Sequence, residues 1–183
     1  IRETSSSSFE FTDKTNGGLK TSQKFHLPSM LSFFLRAGYQ FEEKRYHDHV
    51  SLTLKNIAYG GINDHVGGGL HRYTVDSIWH VPHFEKMLYD NAQMLSVFSK
   101  AYKLNNDLLY KYQIEKIFNF LERELTSNDK LIYSSISAIT EINSRKVEGD
   151  FYVLNKNEIK NIDKDNYEVF SEYFNVNELG YWE

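Results

Sequence analysis

Apolar residues return at three- and four-residue spacing in four long stretches of this chain, and Gly, Pro, Asn or Asp stands near the ends of each. Leu31, Phe34 and Leu35 predict a helix from Pro28 to about Gly38. Tyr46, His49, Val50, Leu54 and Ile57 predict one from about Glu42 to Ala58. Leu88, Ala92, Leu95, Phe98 and Tyr102 predict one from His83 or Phe84 to Lys103, and Ile114, Ile117, Phe118, Leu121 and Leu125 one from about Leu108 to Leu125. A stripe with this period gives a helix one apolar face, which must be buried against another element. Asn105-Asn106-Asp107 reads as a turn that caps the fourth helix.

The connections carry short extended runs at Leu70–Val75, Trp79–Pro82, Leu131–Ser135 and Phe151–Leu154, with a polar loop over Glu141–Gly149. Short helices are expected after Asn155 or Asn157 and at Tyr167–Phe174. Ile1–Phe11, with Ser5 to Ser8, reads as flexible, so residues 1–15 are expected as a lead-in and 16–183 as one domain. The expected fold is mainly α, built of paired antiparallel helices with short β-hairpins in their loops. Hairpins set in a ring would make an α/α toroid. A helical solenoid has the same local pattern, and no sequence repeat at fixed period separates the two.

Chemistry concentrates in one run, Gly60 to Asn91. It holds four of the chain's seven histidines, a Gly67-Gly68-Gly69 triplet, Trp79 and several charges. Glycine permits positive φ and close backbone approach, and functional side chains favour loops held by a rigid scaffold. His71 and His83 are candidate catalytic groups, because imidazole exchanges protons near neutral pH; the alternative is a bond from each ring to a loop carbonyl. Arg72 is the third candidate, as a clamp for a carboxylate, phosphate or hydroxyl, or as the partner of Asp76, Glu85 or Asp90. Tyr73 and Trp79, with Phe84, could stack on sugar faces or fill the core beneath the loop. Glu85, Asp90 and Asn91, near the start of the third helix, complete the candidate substrate-binding set; a helix-dipole role for Glu85 and an i,i+4 pair between Lys86 and Asp90 are the plainer alternatives.

Several classes are disfavoured. His80-x-x-His83 with His71 could hold zinc, but Pro82 interrupts the spacing and no carboxylate stands in a standard motif, so no metal and no cofactor is expected. The glycine triplet lacks the G-K-[ST] of a phosphate loop. Net charge is −4 with both signs mixed and no basic patch, which argues against nucleic acid. No apolar run approaches a bilayer span, Met30–Leu35 being broken by Ser32. Cysteine is absent, which suits a reducing compartment and an expected cytoplasmic location.

The strings GGINDHVGGGLHRY (60–73) and WHVPHFEKMLYDNAQ (79–93) resemble the spermatogenesis-associated, thioredoxin-domain-containing family. Lys24-Phe25 with Pro28-Ser29 and Leu31 is similar to its K-F-x-x-P-S-x-L, Glu148–Val153 to its E-G-x-F/Y-Y-V-W, and Gly180-Tyr181-Trp182-Glu183 to its G-N-W-E. The resemblance implies an N-terminal thioredoxin-like domain with a C-x-x-C motif that this chain lacks, and a larger part similar to the six-hairpin toroids of N-acylglucosamine 2-epimerase. It implies an early arc of such a ring, a sugar ligand with epimerase- or isomerase-like handling, and self-association through open apolar ring faces. The family has no firmly assigned reaction, so a non-catalytic binding or scaffolding module beside the thioredoxin-like domain is the alternative. Where the family reads S-x-x-D-A-D-S-E, this chain has Ser137 and Ile139 in place of both aspartates, and Leu154 in place of the tryptophan. The Ser137 and Ile139 replacements favour the module.

Overall fold

The computed structural model describes residues 1–142, 144–162 and 164–180. They divide into two compact units, Ile1–Ala138 and a second from Ile139 onward, where one domain over 16–183 was expected.

In the first unit the segment expected as a flexible lead-in is a helix, α1 (Arg2–Glu10). Serine has no strong helix preference, so tertiary contact supplies the stability. Phe9 meets Phe34 and Tyr46 edge-on at 5.7 and 5.1 Å, and the Tyr46 hydroxyl donates to Ser5 Oγ at 3.0 Å. Then come α2 (Pro28–Phe41), α3 (Lys44–Tyr59), α4 (Leu88–Asn105) and α5 (Leu108–Glu124). Only Glu42 and Glu43 join α2 to α3, and only Asn106 and Asp107 join α4 to α5. Glu42 and Asn106 both take left-handed backbone to end their helices, and the Asp107 carboxylate caps α5 by accepting from Leu109 N at 3.0 Å. α2 packs on both α3 and α4, and α5 on both α4 and α3. Leu31, Phe34, Leu54, Ile57, Phe98 and Ile117 are fully or almost fully enclosed there, each worth about 1.5–3 kcal/mol of burial.

Two stripes differ from the expected ones. α4 begins at Leu88 rather than His83, because Pro82–His83 and Lys86–Met87 are strands. Its inward face is Asp90, Asn91, Met94, Val97, Phe98 and Ala101, and Ala92 is exposed. Two polar residues lie on the buried face, so a count of apolar positions misplaces it. On α5 the inward face is Tyr110, Gln113, Ile117 and Phe120, leaving Phe118 about half exposed.

The long connections, by contrast, repeat one design. Thr12–Leu19 follows α1 and Asn63–Leu70 follows α3, each closed by a β-bridge between its end residues. The aspartate second in each segment accepts two backbone N–H groups on one carboxylate oxygen: Asp13 from Thr15 and Asn16, Asp64 from Val66 and Gly67. Two glycines at positive φ follow, Gly17-Gly18 and Gly68-Gly69. A buried lysine from a later strand then binds each aspartate and the first of those glycine carbonyls: Lys24 Nζ at 2.7 Å from Asp13 and 2.9 Å from Gly17 O, Lys86 Nζ at 2.6 Å from Asp64 and 2.8 Å from Gly68 O. A third bridge, Thr126↔Ile132, follows α5. This internal repeat is absent at fixed period in the sequence but present in the fold.

Three strands cross these loops in the order β1 (Lys24–Phe25), β2 (Tyr73–Thr74), β3 (Pro82–His83), all antiparallel. A separate pair joins β4 (Lys86–Met87) to β5 (Ser135–Ile136). In the second unit β6 (Ile139–Ile142) and β7 (Arg145–Glu148) form a hairpin where a polar loop was expected. Phe151 lies in a 3₁₀ turn, Asp150–Tyr152, rather than an extended run. α6 (Lys156–Ile162) and α7 (Tyr167–Tyr173) follow. Asn155 and Glu158 cap α6 reciprocally: Glu158 N donates to Asn155 Oδ1 at 3.1 Å and Asn155 N to Glu158 Oε2 at 2.8 Å. The sequence match at Gly180–Glu183 lies, from Tyr181 on, outside the described residues.

Candidate functional site

The β1–β2–β3 register places Phe25 opposite Tyr73 and Tyr73 opposite His83. Side chains alternate across a strand, so these three rings share one face while Lys24, Thr74 and Pro82 are buried on the other. The rings form a continuous stack: Phe25 on Tyr73 at 4.9 Å and Tyr73 on His83 at 5.0 Å, nearly parallel in both pairs. Phe25 remains 44% exposed, so that end of the ladder is open to solvent.

Glu85 organises the polar end of that ladder. Its Oε2 accepts from Arg72 Nη1 at 2.9 Å and lies 3.4 Å from His83 Nε2. Backbone pairing holds the two loops together, since Arg72 N donates to Glu85 O at 2.8 Å. Arg72, Tyr73, His83 and Glu85 are all half-buried. Here the expected residues do come together, and a carboxylate, a guanidinium and an imidazole share one edge.

His71 lies deeper. It is 2% exposed, and its Nδ1 is 3.1 Å from the Phe84 carbonyl. A carbonyl only accepts, so Nδ1 carries the proton. Burial, helped by the Lys86 ammonium, pulls the imidazole down to about 4; it is neutral at physiological pH. Asp90, in the first turn of α4, has burial pushing its carboxyl up to about 6, partly countered by Arg72.

Trp79 and Asn91 do not serve as expected. Trp79 is fully buried at a left-handed turn, and its indole N–H donates to Asn16 O at 2.7 Å, so its faces belong to the core. Asp76 holds that turn by accepting from Ile78, His80 and Val81 N–H groups. Gly61 admits it closely: a Cβ there would stand 1.9 Å from His80 O. Asn91 is fully buried and pairs with backbone, accepting from Leu70 N and donating to Leu70 O and Met87 O. Its amide therefore ties the glycine loop to α4 instead of meeting a substrate. His47 bonds Leu35 O and His49 is packed beside Phe34.

His26 is the residue that sequence reasoning missed. It follows Phe25 on the inward side, is 2% exposed, and its Nδ1 lies 3.9 Å from Asp90 Oδ1. The alternation of Lys24-Phe25-His26 carries the signal, but a strand of two residues is too short to announce it. Among the described residues no group of three His, Asp or Glu is placed to hold a metal ion, and no helix is long and apolar enough to cross a membrane.

No family model matches the chain. Spermatogenesis-associated protein 20 of Homo sapiens is 38% identical to it over 82% of the chain and 20% of that protein. An uncharacterized protein of Caenorhabditis elegans is 35% identical over 92% of the chain and 25% of its own length. Among solved structures, a sugar epimerase from a ruminal bacterium matches 90% of the chain and 48% of its own at TM-score 0.63 and 15% identity. Cellobiose 2-epimerase from Bacillus thermoamylovorans matches 74% of the chain and 40% of its own at TM-score 0.62 and 14% identity. D-mannose isomerase matches 61% and 29% at TM-score 0.51 and 18% identity. At such identities the structural likeness establishes the fold, a part of an α/α toroid, and not the reaction. The chain spans about a fifth to a quarter of the length of the curated relatives it matches, and over that span it is a homologue of proteins named spermatogenesis-associated protein 20.

Proposed function

We propose that this chain is one arc of a carbohydrate-handling toroid in a thioredoxin-domain-containing protein, with epimerase- or isomerase-like chemistry at the Arg72–His83–Glu85 edge. The observation that carries the reading is the stacked Phe25–Tyr73–His83 ladder ending in the shared Glu85 carboxylate. Sugars present both C–H faces and hydroxyls, and an exposed aromatic ring beside fixed donors and acceptors suits both. Epimerisation or isomerisation removes a proton from carbon and returns one, with no external oxidant. In this reading His83 exchanges the proton, Glu85 orients its ring, Arg72 and Tyr73 position the sugar, and neutral His71 supports the loop. The rest of the ring would come from the remainder of the protein. Exposed Phe151, Val169, Tyr173 and Leu179 in the second unit support faces that pack there or on a second copy. A cytoplasmic location belongs to the same proposal.

The test is turnover of D-mannose and cellobiose by the full protein. His83→Ala is expected to abolish it while leaving the melting temperature within a few degrees; retained turnover removes His83 from the chemistry. Ser137 and Ile139, standing where the family has aspartates, support the second reading, a binding module. That reading expects no turnover of either sugar by the wild-type protein.

A further inference from the structure

The inward side of the three-stranded sheet holds a polar arrangement that the fold itself does not explain. Among the described residues, neither ring nitrogen of His26 has a hydrogen-bond partner, and Asp90 Oδ2 has none. All three atoms are buried. Buried polar atoms are nearly always paired, and leaving one unpaired is destabilising. An ion pair does not account for them. Burial, with His71 nearby, pulls the His26 imidazole down to about 3, whereas burial pushes the Asp90 carboxyl up to about 6. His26 has therefore lost its charge well before Asp90 gains one. The other charged or titratable groups acting on the pair are His71, on the loop after the glycine triplet, and Arg72, on the approach to β2.

One oxygen fits between the two side chains, where it pairs His26 Nδ1. His26 Nδ1 and Asp90 Oδ1 are 3.9 Å apart, too far to bond each other. A single oxygen can sit at ordinary hydrogen-bond length, about 2.8 Å, from both. Such an oxygen must accept from the imidazole N–H and donate to the carboxylate, which is what a hydroxyl does. Asp90 is not sealed: its side chain is 12% exposed. We propose that His26 Nδ1 and Asp90 Oδ1 together bind one hydroxyl group of a sugar, at a subsite separate from the aromatic ladder on the other side of the sheet. This assignment rests on the carbohydrate reading above.

The experiment uses the full protein with D-mannose and cellobiose as probes, and the variants His26→Phe and Asp90→Asn. Two quantities are measured: the melting temperature without sugar, and its rise on adding sugar. The expected result is a rise in the wild type that shrinks in both variants, with sugar-free melting at or above the wild-type value. Sites built for ligands commonly gain stability when their unpaired groups are replaced. A sugar-induced rise that is undiminished in both variants overturns the assignment and leaves the carbohydrate reading standing. Sugar-free melting several degrees lower in both shows a structural pair bridged by ordered water, and also overturns it. No rise in the wild type removes the carbohydrate reading and this assignment with it. A second measurement guards against variants that fail to fold. In the wild type, the ring ¹⁵N resonances of His26 are expected to shift on sugar addition, and resonances unmoved at a sugar concentration that stabilises the protein refute the contact.

Discussion

Replacing Lys86 by methionine tests whether the repeated aspartate–lysine loop is what holds the histidine run in place. Methionine keeps an unbranched apolar stem of similar length, so the Phe120 ring 4.7 Å from Nζ keeps a neighbour. What is lost is the ammonium at 2.6 Å from Asp64 and 2.8 Å from Gly68 O. Removing one partner of a buried pair costs about 3–5 kcal/mol, because the other charge is left uncompensated. Asp64 still accepts from Val66 and Gly67 N–H at 3.0 and 2.7 Å, which places the expected loss near the lower end, about 3 kcal/mol. For a unit of this size that corresponds to a fall of about 12 °C in melting temperature, at roughly 4 °C per kcal/mol. The double replacement Lys86→Met with Asp64→Asn is expected to lose less than the sum of the two singles, since no carboxylate is then stranded. Burial also pulls the Lys86 ammonium below its ordinary value, so the intact pair stabilises only modestly. Burial alone would raise the Asp64 carboxyl, but Lys86 outweighs it and holds the group below its usual 3.8. Its folded value is depressed, so the pair's contribution is present above pH 3.8 and is lost as pH falls through the folded value. The deficit of Lys86→Met should accordingly be full at pH 7 and shrink under acid. Thermal and urea unfolding of the full protein measure all of this. A single-variant loss below about 1 kcal/mol, the range of surface pairs, or strict additivity in the double variant, refutes the reasoning.

Two further outcomes are expected. Gly69→Ala should destabilise by about 2–5 kcal/mol, combining a left-handed backbone and overpacking, because φ is +79° and a Cβ would stand 2.4 Å from Phe120 Cδ1; a urea midpoint within error of the wild type would contradict the glycine-loop geometry. Stability should also fall as pH drops from 7 toward 5, because burial lowers His26 to about 3 and His49 and His71 to about 4. The unfolded chain takes up protons near pH 6.5 that the folded chain refuses, at about 1.4 kcal/mol per unit of pKa difference. Asp90, raised to about 6, works in the opposite sense, but three imidazoles outweigh one carboxyl. Urea midpoints that stay level between pH 7.5 and 5 would count against the neutral buried histidines.

The helices α2 and α3 were legible because each stripe is locally complete, and α5 was legible in extent, although its buried face turns to Tyr110, Gln113 and Phe120. Leu31, Phe34 and Leu35 mark the buried face of α2 without reference to anything else, and Asp107 announces the cap of α5. α4 was legible in existence but not in orientation, because Asp90 and Asn91 occupy its buried face and hydropathy alone turns such residues outward. α1 was not legible at all. A serine-rich segment becomes a helix through Phe9 and Tyr46, which are distant in sequence, and no local pattern encodes that contact. The repeated loops escaped for a related reason. Their aspartates and glycines match, but the lysines that complete them lie at unequal distances along the chain, Lys24 eleven residues after Asp13 and Lys86 twenty-two after Asp64.

The amino-acid order alone marked Gly60 to Asn91 as the run where candidate functional side chains concentrate. Glycines, histidines and charges in one short run have no use in a plain helical core, and the resemblance of that run to one family needed no coordinates. Which of those residues meet was a matter for the tertiary structure. Two-residue strands carry almost no local signal, yet their pairing stacks Phe25, Tyr73 and His83 across three separate segments. The same pairing turns Trp79 into core, commits Asn91 to the backbone, and brings His26 to Asp90. Side-chain type follows from the chain and can be read there. Side-chain partners follow from register, and register between distant short strands is set only when the helices beneath them have packed.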